Sequence, residues 1–191
     1  MYREEEVIPL LPKFLQEEEE LTGAPRGTAY HKVMETLDFA KEYDEELLRH
    51  EIMLLQEKGF LTEQMTASIR TRDILLFLQS KLGRRMQEAS KRGVLYKEQP
   101  FVMGMEAKDV YPGNQSDEMV LIQGIIDVYF EENGQLVVVD YKTDRVSQAS
   151  ELCERYHSQL EYYAEALERL TGKAVKEKMI YSFTLQKEIK V

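Results

Sequence analysis

The sequence predicts an α/β (α+β) domain in which helices come first and a sheet follows. Two observations carry this. In the first half, apolar residues recur at helical spacing; after Val94 they fall in short runs separated by turn signals. At 191 residues the chain also has the length of one domain with a sizeable core. Residues 1–93 read as a helical N-terminal part and residues 94–191 as a β-rich core, within a single domain overall.

Taken in order, Ile8 to Glu20 pairs Leu10, Leu11, Phe14 and Leu15 with an acidic tail, and Thr22-Gly23-Ala24-Pro25 breaks the pattern. Thr28 can cap a helix carrying Val33, Met34, Leu37 and Ala40. Leu47, Leu48, Ile52 and Leu55 mark the next helix, which Gly59 closes, and Thr62-Glu63-Gln64 opens a short one. Ile74, Leu75, Phe77 and Leu78 form an amphipathic helix, followed after Ser80 by another with Leu82, Met86 and Ala89. Val94 to Met103 contains a strand in which Pro100 points to an edge. Ala107 to Glu118 is a polar loop. Val120 to Phe130 and Leu136 to Thr143 are strands joined through Asn133-Gly134. Ser150 to Leu170 is a helix ended by Thr171-Gly172, and Lys178 to Thr184 is a final strand.

Composition narrows the function. The formal net charge is −10, so strong autonomous binding of DNA is not expected unless basic groups cluster. Lys81, Arg84 and Arg85 do share a helix face with Glu88, which reads equally as a solvated surface. No apolar run is long enough to span a bilayer and the start is not signal-like, so no membrane partner is expected and a cytoplasmic location is the simplest. A single cysteine, Cys153, leaves no intrachain disulfide and no four-cysteine iron–sulfur cluster. No Walker A pattern is present, so this chain is not expected to bind ATP.

The chemistry concentrates at the central hairpin. Asp127 lies near the end of one apolar run, and the next delivers Asp140-Tyr141-Lys142. Alternation along a strand puts Asp140 and Lys142 on one face with Tyr141 turned away, and pairing can bring Asp127 alongside. Two buried carboxylates repel unless a hard divalent cation is gained. An interstrand salt bridge is the plainer reading of the same residues.

Gly27 to His31 (G-x-x-x-H), Glu98-Gln99-Pro100-Phe101, Gln123-Gly124-Ile125-Ile126-Asp127, Asp140-Tyr141-Lys142 and Gln159 to Tyr163 (Q-x-x-x-Y) occur in that order. The set resembles the RecB-family nuclease domain of the PD-(D/E)xK superfamily, and most of all the nuclease domain that ends AddA-type helicase–nucleases. The resemblance implies a restriction-endonuclease-like core, a central mixed sheet flanked by helices. It implies Mg²⁺ or Mn²⁺ held by His31, Asp127, Asp140 and the Tyr141 carbonyl. Asp127, Asp140 and Lys142 would be catalytic, with Gln159 and Tyr163 supporting the site. Glu98 is left outside that set, and Glu35 is read as either orienting His31 or facing solvent. The implied activity is exonucleolytic hydrolysis of single-stranded DNA in double-strand-break repair. The implied partners are DNA, a helicase domain of the same polypeptide and a second, AddB-like protein. The alternatives are a freestanding nuclease and an inactive DNA-guiding scaffold.

Overall fold

In the computed structural model, which describes residues 25–111, 113 and 115–191, the helical half of the sequence wraps one face of a five-stranded sheet. The helix expected over Ile8 to Glu20, the break before Pro25 and most of the Pro112-Gly113-Asn114 turn lie outside the described residues.

Five helices come first: α1 (Pro25–Thr36), α2 (Glu45–Glu57), α3 (Glu63–Ser68), α4 (Thr71–Gln79) and α5 (Lys81–Lys91). Their ends follow local chemistry. Asp44, Thr62 and Ser80 each accept a hydrogen bond from a first-turn N–H of the helix they cap. Thr28 does not cap α1. The helix opens three residues earlier at Pro25, a residue whose missing N–H costs nothing in a first turn. Leu37 and Ala40 consequently lie beyond its end, although Leu37 is still buried.

The sheet comprises β1 (Leu95–Glu106), β2 (Met119–Glu132), β3 (Gln135–Lys142), β4 (Val175–Ser182) and β5 (Lys187–Lys190), in that spatial order. It is mixed: β3 and β4 run parallel and the other neighbours antiparallel. A parallel pair needs a crossover, which α7 (Ala149–Thr171) supplies; a Gln148–Glu151 capping box opens α7 and Gly172 in the left-handed conformation closes it. Two elements were not expected. A single turn, α6 (Ala107–Val110), sits in the predicted polar loop, and β5 adds an edge strand. Both are too short to show a period, and Ile189 is the lone buried residue of β5.

β3 is buried on both sides, as a central strand requires. Val137, Val139 and Tyr141 meet Phe39, Phe77, Leu82 and Met86 of the helical half. Leu136 and Val138 meet Leu152, Leu160 and Leu167 of α7 on the other side. The result is three layers, helices–sheet–helix. Among the described residues no helix is long and apolar enough to cross a membrane.

Candidate active site

The site forms where β2 parts from β3. Their pairing runs from Glu132↔Gln135 to Val128↔Val139 and stops there. At the same level the paired ribbon β1–β2 changes faces. Leu95, Val128 and Phe130 pack towards the helical half, whereas Phe101, Met103, Ile122 and Ile126 pack towards α7. The switch falls at Glu98 and Asp127, the one position at which β1–β2 pairing is interrupted, and Glu98 adopts φ 50°, rare for a residue with a side chain. Beyond the switch, Val102, Leu121 and Ile125 are exposed.

Asp127 closes the gap that this divergence opens. Its Oδ2 accepts the Tyr141 N–H at 2.9 Å, replacing the ladder bond that β2 no longer offers. The Tyr141 carbonyl is reached by His31 Nε2 at 2.9 Å, while His31 Nδ1 lies 3.3 Å from Asp127 Oδ1. Both ring nitrogens therefore face oxygen acceptors, which favours the doubly protonated imidazolium. Burial alone would lower the His31 pKa, but the Asp127 carboxylate outweighs it and the imidazole is pushed up to about 9. Burial would likewise raise Asp127; the charges of His31 and Lys142 and the Tyr141 N–H instead hold it below the usual carboxylate range. Gly27 brings α1 to this point: a Cβ there would sit 3.3 Å from Thr143 Oγ1.

Asp140 and Lys142 project to the α7 side. Lys142 Nζ stands 3.0 Å from Asp140 Oδ2 and donates to Gln159 Oε1 at 3.3 Å, with its ammonium 3.8 Å from the centre of the Tyr156 ring. Gln159 Nε2 donates to the Tyr163 hydroxyl at 2.6 Å, and Tyr163 sets its edge against Phe101. Gly124 makes room for that contact, since a Cβ there would lie 2.9 Å from Phe101 Cε1. Asp140, Lys142 and Gln159 are almost wholly buried.

The structure thus joins His31, Asp127 and the Tyr141 carbonyl in one cluster and Asp140, Lys142, Gln159 and Tyr163 in another. Attraction between Asp127 and Lys142, and between His31 and Asp140, links them. Glu35 faces Lys32, 2.5 Å away, rather than orienting His31. Asp144 ties the end of β3 to α7 by accepting from Tyr156 and Arg155, instead of capping the following turn. Glu98 belongs to the site's electrostatics. Burial, reinforced by the Asp127 and Glu35 charges, pushes its pKa up to about 7. Its position directly across the ribbon from Asp127 is the signal that sequence reading undervalued.

The donor set suits a hard divalent cation: carboxylate and carbonyl oxygens with one imidazole. Among the described residues no three acidic, histidine or cysteine side chains already form a closed cage. The imidazolium proton bridges Asp127 and the Tyr141 carbonyl, and Lys142 neutralises Asp140. Positive charge already occupies both places where a cation would act, so the residues fit an ion that displaces the proton and draws Asp140 from Lys142.

Comparison with known proteins agrees with this geometry. The family model of the PD-(D/E)XK nuclease superfamily matches residues 2–190. An ATP-dependent helicase/nuclease protein of Lachnoclostridium phytofermentans, the AddA-type chain of its complex, is 40% identical over 220 residues, covering 97% of this chain and 16% of the relative. Its counterpart of the same name in Clostridium beijerinckii is 39% identical over 100% of this chain, again 16% of its own length. That of Clostridium kluyveri is 41% identical over 91% of the chain and 14% of the relative. The chain therefore spans about one-sixth of the length of these relatives. The crystal structure of SSO0001 aligns over 90% of this chain and 76% of that one, at 16% identity and a TM-score of 0.38.

Proposed function

The chain belongs to the PD-(D/E)XK nuclease superfamily, and we propose that it is a metal-dependent exonuclease unit that hydrolyses phosphodiester bonds of single-stranded DNA. The observation that carries this reading is the buried lysine. Lys142 is held between Asp140 and Gln159 beside the Asp127–His31 pair, at the mouth of a strand divergence. An ammonium kept in place by an acid and an amide is poised to orient a water and to stabilise negative charge developing on a phosphate.

His31, Asp127, Asp140 and the Tyr141 carbonyl would hold the cation. When bound, Mg²⁺ or Mn²⁺ would supply Lewis-acid stabilisation of phosphoryl oxygens. The chain's own residues do the positioning. Asp127 fixes β3 through the Tyr141 N–H, and Gln159 passes the placement of Lys142 to Tyr163 on the surface of α7 nearest β1. Burial excludes bulk water around Asp140 and Lys142 and strengthens their fields.

The relatives are named helicase/nuclease proteins and are about six times longer than this chain. On that support we assign the chain to the nuclease part of an ATP-dependent helicase–nuclease working in double-strand-break repair. A motor in the same polypeptide and a second, AddB-like protein would be its partners.

The test is cleavage of a 5′-labelled single strand by the purified chain with Mg²⁺, with Mn²⁺ and with EDTA. Cleavage that needs the cation and disappears in Asp140→Asn supports the reading. Cation-independent cleavage, or none by a correctly folded chain at high enzyme concentration, rejects it.

A further inference from the structure

The largest cleft of the described residues lies away from the strand divergence, along the exposed face of α5, and has a volume of about 530 Å³. Lys81, Arg84, Arg85 and Arg92 border it, together with Glu88 and Glu132. This is an unusual concentration of cations for a chain with a net charge of −10.

The ion pairs within it are unevenly distributed. Both acids are already engaged: Glu132 by Arg85 and Lys176, Glu88 by Lys91. Arg85 is spent as well, because its guanidinium forks between Glu132 and Glu177. That leaves Lys81, Arg84 and Arg92. No carboxylate pairs with Lys81 or Arg84 among the described residues, and both are exposed. Arg92 donates to the Glu88 and Glu131 carbonyl oxygens, which orient its guanidinium without cancelling its charge. Three uncompensated cations thus share one cleft whose acids are neutralised from behind.

Their spacing selects the ligand. At 1.5 Å rise per residue, Lys81 and Arg92 are about 16 Å apart along the helix axis. One small anion cannot meet both, whereas the backbone of an extended strand presents phosphates in a row. Glu132, at the rim, is five residues along β2 from Asp127, roughly 16 Å at strand rise. The cleft is within a few nucleotides of the candidate active site.

We propose that this cleft grips the phosphodiester backbone of the DNA strand at a distance from the reacting phosphate. The proposal rests on the nuclease reading above and adds to it a place where the substrate is held. It also removes a difficulty of that reading, because the charge of the whole chain opposes DNA binding while this face favours it.

The experiment compares Lys81→Glu/Arg84→Glu with a control carrying the same change of net charge elsewhere, Arg49→Glu/Lys58→Glu on α2. All four residues are exposed. Binding of fluorescent (dT)20 is measured by anisotropy across a salt series in EDTA, with folding checked by circular dichroism. The α5 variant should bind at least tenfold more weakly at low salt. Its slope of log affinity against log salt should fall by about 1.4, the value for two lost contacts on a single strand. The α2 control should keep the parental slope. Equal losses in the two variants would show a net-charge effect and overturn the proposal. An unchanged α5 variant would also overturn it, as would charge-reversal-sensitive binding of polyglutamate with (dT)20 binding intact, which would assign the cleft to an acidic protein segment. A parent that cleaves single strands while its α5 variant binds them normally would sink this inference alone. A parent that neither binds nor cleaves them would sink the nuclease reading and this inference with it.

Discussion

Replacing Lys142 with methionine isolates the charge at the centre of the site. Methionine keeps an unbranched stem over the Tyr156 ring and removes the ammonium. The Lys142 and Asp140 side chains are 5% and 1% exposed and 3.0 Å apart, so Asp140 would be left as a buried carboxylate without its nearest cation. Breaking a buried pair from one side costs about 3–5 kcal/mol, and His31 still attracts Asp140, so the lower end applies. For a chain of this size each kcal/mol moves Tm by roughly 2–4 °C. Lys142→Met should therefore melt roughly 10 °C below the parent in EDTA. A divalent cation competes with the lysine for Asp140, so the variant gains more from Mn²⁺ than the parent does. Scanning calorimetry in EDTA and in millimolar Mn²⁺ should show the gap closing by at least half. Single-strand cleavage should meanwhile fall by orders of magnitude, separating the lysine's role in catalysis from metal binding. A variant that melts within about 2 °C of the parent in EDTA would refute the ion-pair argument. A gap that Mn²⁺ leaves untouched would show that Asp140 does not take the cation.

Three further outcomes follow from contacts around the site and at the far end of the sheet. Gly124→Ala should cost about 1–3 kcal/mol, because the added carbon meets Phe101 at 2.9 Å, and Phe101→Leu should recover part of that in urea titrations of the double variant. Gln159→Leu removes the acceptor of Lys142 and the donor to Tyr163 at a fully buried position; a loss of roughly 1–3 kcal/mol is expected by chemical denaturation. Arg85 holds the Glu132 carboxyl down at about 2 against an ordinary 4.5, so the stability this group contributes is present above pH 4.5 and is lost as pH falls towards 2. Glu132→Gln should flatten that part of the Tm–pH curve, costing about 2–4 °C at neutral pH and nothing near pH 2.

Most of the fold was legible because its elements are long enough to show a period. The apolar runs of β2 and β3, the twenty-three-residue α7 and the caps at Thr62 and Ser80 are local signals that tertiary structure had no reason to override. The start of α1 was misread because Thr28 and Pro25 are both credible openers, and only contact between Gly27 and Thr143 decides how far the helix must extend. β5 escaped notice because four residues with one buried side chain carry no alternation. In the site, the pairing of Asp140 with Lys142 follows from strand alternation and the Gln159–Tyr163 contact from helical spacing. The place of Glu98 does not follow from either, because regular alternation fails there.

That failure is itself informative about how the site arises. A strictly alternating β2 would keep Ile126 and Val128 on one face and continue its ladder with β3 past Asp127. Instead the two residues pack on opposite faces, and the ladder ends at Val128↔Val139. The break would leave the Tyr141 N–H without a partner, at a cost of about 1–3 kcal/mol if buried. The Asp127 carboxylate offsets that cost by accepting the bond, and in doing so places its other oxygen beside His31. One acid thus ends a strand pair and helps build a charged cluster. Asp127→Asn is the discriminating substitution: an amide can still accept from Tyr141 but no longer supports an imidazolium. It should keep most of the fold's stability and lower the His31 pKa, read by NMR titration of the ring. A His31 pKa still near 9 in a folded Asp127→Asn chain would show that the cluster is not held together by this carboxylate.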